Sequence, residues 1–112
     1  MRALPLGKIT VATAGTPVPI TNAMLTTAGD GRGPNGGVMC LEFWPVFGNT
    51  GRVLVKDLST GNVIAELPTP ANGKAQKYRI CGPDGGNVVY PTSFQVDVTT
   101  SGDAAYVTAW VE

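Results

Sequence analysis

The sequence contains no histidine. That absence removes the commonest general base, the commonest metal ligand and every Ser-His or Cys-His nucleophile pair. Charge is scarce too: charged residues are 14% of the 112, against roughly 25% in an average domain. Eight Lys and Arg balance eight Asp and Glu, so no basic field exists to attract a phosphate backbone, which argues against nucleic acid as a partner. No apolar run approaches the roughly 18 residues of a membrane span, and Met1-Arg2-Ala3-Leu4-Pro5-Leu6-Gly7 lacks the apolar core of a signal peptide. A soluble protein made in a cytoplasm, with no membrane partner, is expected. Serine occurs only at Ser59, Ser93 and Ser101, never in a Gly-x-Ser-x-Gly elbow. The only cysteines are Cys40 and Cys81; without histidine they cannot complete a tetrahedral metal site. Both lie in apolar, strand-like runs, where buried free thiols are the expectation and one bridge the alternative.

What is abundant points to strands. Gly (15) and Pro (9) are about twice their usual share, and Thr and Val, 13 of each, outnumber the 7 Leu. β-branched residues suit a pleated surface, and Gly and Pro punctuate turns. Leu, Glu, Lys and Gln, the staple of amphipathic helices, are few. With 43% hydrophobic residues in a chain of this length, one small all-β domain is expected.

Along the chain, apolar runs alternate with turn signals. Strands are expected at 8–14 and, with two prolines suiting a sheet edge, at 16–20. Residues 21–28 (TNAMLTTA) are the one helix-like stretch, with Thr21 as its cap, and 29–37 (GDGRGPNGG) must be a loop. The run 38–47 (VMCLEFWPVF) is apolar on both faces apart from Glu42. Residues 52–57 and 62–67 read as a hairpin with Val53 and Val55 on one face. A second loop covers 68–73, short strands follow at 78–81 and near Val88–Tyr90, and 92–99 alternates cleanly, with Phe94, Val96 and Val98 opposite Gln95 and Asp97. The final strand, 105–111, sets Tyr106, Thr108 and Trp110 against Val107, Ala109 and Val111. Seven to nine short antiparallel strands make a compact two-sheet sandwich, jelly-roll-like, with strand order unreadable and an immunoglobulin-like topology equally open.

Candidate chemistry is thin. The 29–37 loop lacks the Gly-Lys-Ser/Thr ending and following helix of a phosphate-binding loop. Asp30-Gly31 and Asp84-Gly85-Gly86-Asn87 offer too few oxygens for calcium and suit ordinary turns. Glu42 and Asp97 are the carboxylates a glycosidase pair would need, yet Asp97 fits a solvated strand face and Glu42 should meet Arg52 or Arg79 in an ion pair, or else face another subunit. Trp44, Trp110, Tyr78, Tyr90 and Tyr106 form either core or a sugar-stacking platform. No catalytic residue, cofactor or metal is expected.

Residues 7–21 (GKITVATAGTPVPIT), with Asn49-Thr50-Gly51-Arg52-Val53-Leu54-Val55 following, resemble small all-β proteins encoded among the head genes of tailed bacteriophages. The resemblance covers about the first 70 residues and, more loosely, the rest. It implies a capsid decoration, or cement, protein on the virion exterior: a jelly roll or β-tulip, often trimeric, that clamps adjacent major capsid protein subunits of the expanded head. On that view residues 1–7 are an N-terminal arm and 8–112 the sandwich domain. The arm and the two long loops would make the contacts, through Arg2, Leu4, Leu6, Arg32, Pro34, Asn35, Pro70 and Asn72, and deleting residues 1–6 would leave the domain folded. The alternatives are a host-glycan-binding head or tail adhesin that uses the aromatic residues, and a small hydrolase that would fail with Glu42→Gln.

Overall fold

The structure, a computed structural model, describes residues 2–27, 37–68, 76–82 and 89–111. Among them are β1 (Arg2–Thr10), β2 (Val18–Pro19), α1 (Asn22–Thr27), β3 (Cys40–Pro45), β4 (Arg52–Asp57), β5 (Val63–Pro68), β6 (Tyr78–Cys81), β7 (Phe94–Val98) and β8 (Ala104–Val111). A 3-10 turn at Pro91–Ser93 leads into β7. Val89 forms an isolated bridge with Val38 just before β3.

Two four-stranded sheets result, ordered β1-β8-β3-β6 and β2-β7-β4-β5, with every pairing antiparallel. The pairings nest: β4 with β5, β3 with β6, β2 with β7 and β1 with β8. One long hairpin, rolled across two sheets, generates that pattern, and it is the strand order of a jelly roll.

Alternation along each strand supplies the core. Leu41 and Phe43 of β3, Val53 and Val55 of β4, Val96 and Val98 of β7, and Val107, Ala109 and Val111 of β8 all point between the sheets and are buried. Each larger side chain contributes roughly 1.5–3 kcal/mol on leaving water. Phe43 is the hub, 6.4 Å from Tyr78 in a stacked arrangement and 6.4 Å from Phe94 edge-on. Leu25 of α1 is buried, and the helix packs against β1. No described helix is long and apolar enough to cross a membrane.

Two expectations need correction. Residues 2–7 are no arm: they form the first half of β1, paired with β8 from Arg2↔Val111 to Gly7↔Val107. Pro5 and Gly7, residue types poorly suited to strands, are accommodated by a register shift between them on a sheet edge, where a missing N–H leaves no ladder bond unmade. Leu4 is buried in the core, so removing residues 1–6 strips a strand and should unfold the sandwich. Secondly, Cys40 and Cys81 are not free thiols but a disulfide. They face each other directly across β3 and β6, with Cα atoms 4.0 Å apart, the close approach of antiparallel partners that share no ladder bond.

Candidate functional site

Connections β1–β2, β3–β4 and β7–β8 converge at one end of the sandwich and are tied together by buried or half-buried polar groups. Asp103 is buried; its carboxylate accepts from the Thr50 N–H (3.3 Å) and the Gly51 N–H (2.8 Å). Asn49 donates through Nδ2 to the Ala104 carbonyl at 2.8 Å and accepts from the Ala104 N–H at 3.2 Å. Val46 N–H donates to the same Ala104 carbonyl, and Val11 N–H to that of Asp103. Thr99 Oγ1 accepts from the Arg52 N–H at 2.8 Å. Gly51 is packed so tightly that a Cβ there would strike the hydroxyls of Thr99 and Thr100. Gly51→Ala is therefore expected to cost about 1–3 kcal/mol in a denaturant titration; an unchanged midpoint would show that the β3–β4 turn yields freely.

From this end, among the described residues, one large apolar side chain projects. Phe47 is 78% exposed. It occupies the second position of a turn closed by the Asn49 N–H and the Val46 carbonyl (3.3 Å), and Gly48 takes the left-handed φ of 95° that the third position requires. A large apolar ring is thus held in water on a rigid base.

The outer face of the β1-β8-β3-β6 sheet is a second concentration of chemistry. Register places Lys8, Tyr106 and Trp44 in one row, Thr108, Glu42 and Arg79 in the next, and Trp110, Cys40 and Cys81 in the third. Glu42 is only 4% exposed. Its carboxylate meets Arg79 Nε at 3.4 Å and Lys77 Nζ at 3.7 Å, and accepts from Trp44 Nε1 at 3.4 Å. Lys77 Nζ lies 5.2 Å from the Trp44 ring centroid, and the Arg79 guanidinium 5.7 Å from that of Trp110. Trp110 Nε1 is buried without a hydrogen-bond partner. Of the five aromatic residues weighed as a sugar platform, Trp44, Tyr106 and Trp110 share this face. Tyr78 instead packs on Phe43, and Tyr90 stands exposed before the 3-10 turn.

Glu42 finds Arg79, one of its two expected partners. Arg52 pairs instead with Glu66 at 3.5 Å on the other sheet. Glu42 and Asp97 lie on opposite outer faces of the sandwich, so the structure does not bring them together as a pair. Nor is Asp97 solvated. It is 1% exposed, because the β1–β2 connection folds over β7 and the left-handed Gly15 (φ 89°) turns its N–H onto Oδ1 at 3.0 Å. The Val98 N–H donates to the same oxygen at 2.8 Å, and Lys56 Nζ meets Oδ2 at 2.7 Å. Burial pushes this carboxyl up, but the bonds from Lys56, Val98 and Gly15 outweigh it and hold it below the usual range. On the β4–β5 turn, hydrogen bonds from Thr60 and Ser59 likewise hold the exposed Asp57 low.

Of the expected contact residues, Arg2 is exposed, Leu6 is half-buried beside the α1 residue Met24, and Leu4 is core. Arg32, Pro34, Asn35, Pro70 and Asn72 lie outside the described residues, as do Asp30-Gly31 and Asp84 to Asn87. Phe47 escaped the sequence reading because it closed an apolar run; the Gly48-Asn49 turn after it was the available signal. No protein-family model, no curated protein and no solved structure matches the chain.

Proposed function

We propose that this chain is a structural protein of a virion surface, a decoration protein that binds the outside of a tailed-phage head and ties adjacent major capsid protein subunits together. The phage-like sequence at 7–21 and 49–55 motivates the reading. The observation that carries it furthest is Phe47, an aromatic ring 78% exposed on a turn fixed by Asp103 and Asn49. A rigid, exposed aromatic residue loses little conformational entropy on docking and fills a partner's pocket, which is how interface anchors work. A jelly roll is compatible with this role, although the fold alone hosts many others.

Contacts through Phe47 replace the arm in this mechanism. The protein acts by binding energy alone: two shell subunits held to one rigid body separate only if a contact breaks. Trimers are common among the phage proteins this sequence resembles, so a trimer is the first oligomer to test.

The experiment is co-sedimentation of the purified protein with expanded, undecorated heads. Wild type should band with heads at a fixed ratio to the major capsid protein. Phe47→Ala should lose about 2 kcal/mol of affinity, roughly thirtyfold, as an anchor residue does, with its Tm unchanged. Wild-type protein left at the top of the gradient would sink the reading, and equal binding by Phe47→Ala would remove Phe47 from it.

A further inference from the structure

The outer face of the β1-β8-β3-β6 sheet has features that capsid clamping does not use, and we propose that it binds an acidic oligosaccharide, one carrying carboxylates on its sugar rings. Charge is the first argument. The chain as a whole is neutral, yet among the described residues this face gathers Lys8, Lys77 and Arg79 around the single carboxylate Glu42. Glu42 is nearly buried beneath Lys77 and Arg79, so the outermost charge is positive. Such a local excess raises the concentration of an anionic ligand at the surface.

Ring geometry is the second. Tyr106 and Trp44 are direct cross-strand neighbours, and Tyr106 is 49% exposed. Flat aromatic rings remove the C–H face of a pyranose from water, and a sheet surface presents them side by side. Lys8 on β1 lies beside Tyr106, and the Lys77 ammonium lies 5.2 Å from the Trp44 ring centroid on its other side, so Tyr106 is the exposed ring between two cations. Arg79, next to Glu42, adds a guanidinium fork of the shape that pairs with carboxylates. Neutral sugars would leave the lysines unused; an acidic peptide would leave the rings unused.

Titration of the isolated protein with pentagalacturonate, followed by tryptophan fluorescence and calorimetry, tests this independently of any capsid. We expect saturable binding that maltopentaose and hexaglutamate do not reproduce. Tyr106→Ala and the double variant Lys8→Ala/Lys77→Ala, both at exposed positions, should each weaken it by about tenfold or more while melting like wild type, and Phe47→Ala should bind normally. Absence of saturable binding overturns the proposal. So does equal affinity for maltopentaose, which would mean stacking alone, or for hexaglutamate, which would assign the face to acidic peptides. Undiminished binding by both surface variants overturns it as well.

Discussion

Replacing Cys40 by Ala and Cys81 by Ser is expected to cost about 4 kcal/mol of stability, a Tm drop of roughly 15–20 °C for a chain of this size. The bond joins residues separated by 41 in sequence, and closing a loop of that length removes much of the unfolded chain's freedom. Its position concentrates the effect. β6 is a four-residue strand at the sheet edge, held by one ladder to β3. Without the covalent tie, amide exchange should rise first in Tyr78–Cys81 and only later in β3. Alanine is chosen at Cys40 because that side chain is buried and a serine hydroxyl there would want a partner. The exposed Cys81 tolerates serine. Oxidised protein unfolded in guanidinium should titrate with no free thiol. Identical melting curves with and without a reducing agent would refute the stabilising role.

Asp97→Ala should cost about 3 kcal/mol, toward the low end for breaking a buried ion pair. Removing the carboxylate strands the Gly15 and Val98 N–H groups and the Lys56 ammonium at once. Lys56 keeps the loss from growing larger, because its side chain is 18% exposed and can turn to water. Asp97→Asn should lose about half as much, since the amide oxygen still accepts from both backbone groups. Acid should act on the same cluster. A carboxyl held below its unfolded value of about 3.9 stabilises the fold fully above that pH and loses the contribution as pH falls through the lower folded value. Stability of the wild type should therefore fall below about pH 4 more steeply than that of Asp97→Asn. Parallel pH profiles for the two would refute the assignment.

The strands themselves were legible because alternation is local. Phe94/Val96/Val98 and Val107/Ala109/Val111 announced an inward face from six residues or so of sequence, and the structure buries all of them. Strand order was not legible, since each nested pairing but β4–β5 joins distant segments. The same limit hid the disulfide: nothing near Cys40 tells which residue lies opposite it. Asp97 was misplaced for a related reason. Alternation assigns it correctly to the outer side of β7, but the cover arrives from Gly15, 82 residues away. The start of β1 is not legible because Pro5 and Gly7 are poorly suited to strands, and only a sheet edge with a shifted register accommodates them. At the candidate sites, the ion pair of Glu42 with Arg79 could be foreseen from charge and apolarity. The grouping of Trp44, Tyr106 and Trp110, and the isolation of Phe47, depend on which strands are neighbours.

The nested pairing also sets an order in time. β4 and β5 are joined by a tight turn, through Asp57 and Gly61, and can close within microseconds on contact. Every other pair must wait for a longer loop to close, and the entropy of that closure slows folding of such β-rich topologies toward the millisecond-to-second range. β1 waits longest, for Arg2 finds its partner only at Val111. On the ribosome this strand emerges early and has no ladder to join until β8 has followed it out, many seconds later at ordinary synthesis rates. During that interval it needs protection from pairing with a neighbour's edge. Pro5, which cannot donate to a ladder, and the charges of Arg2 and Lys8 supply some of it.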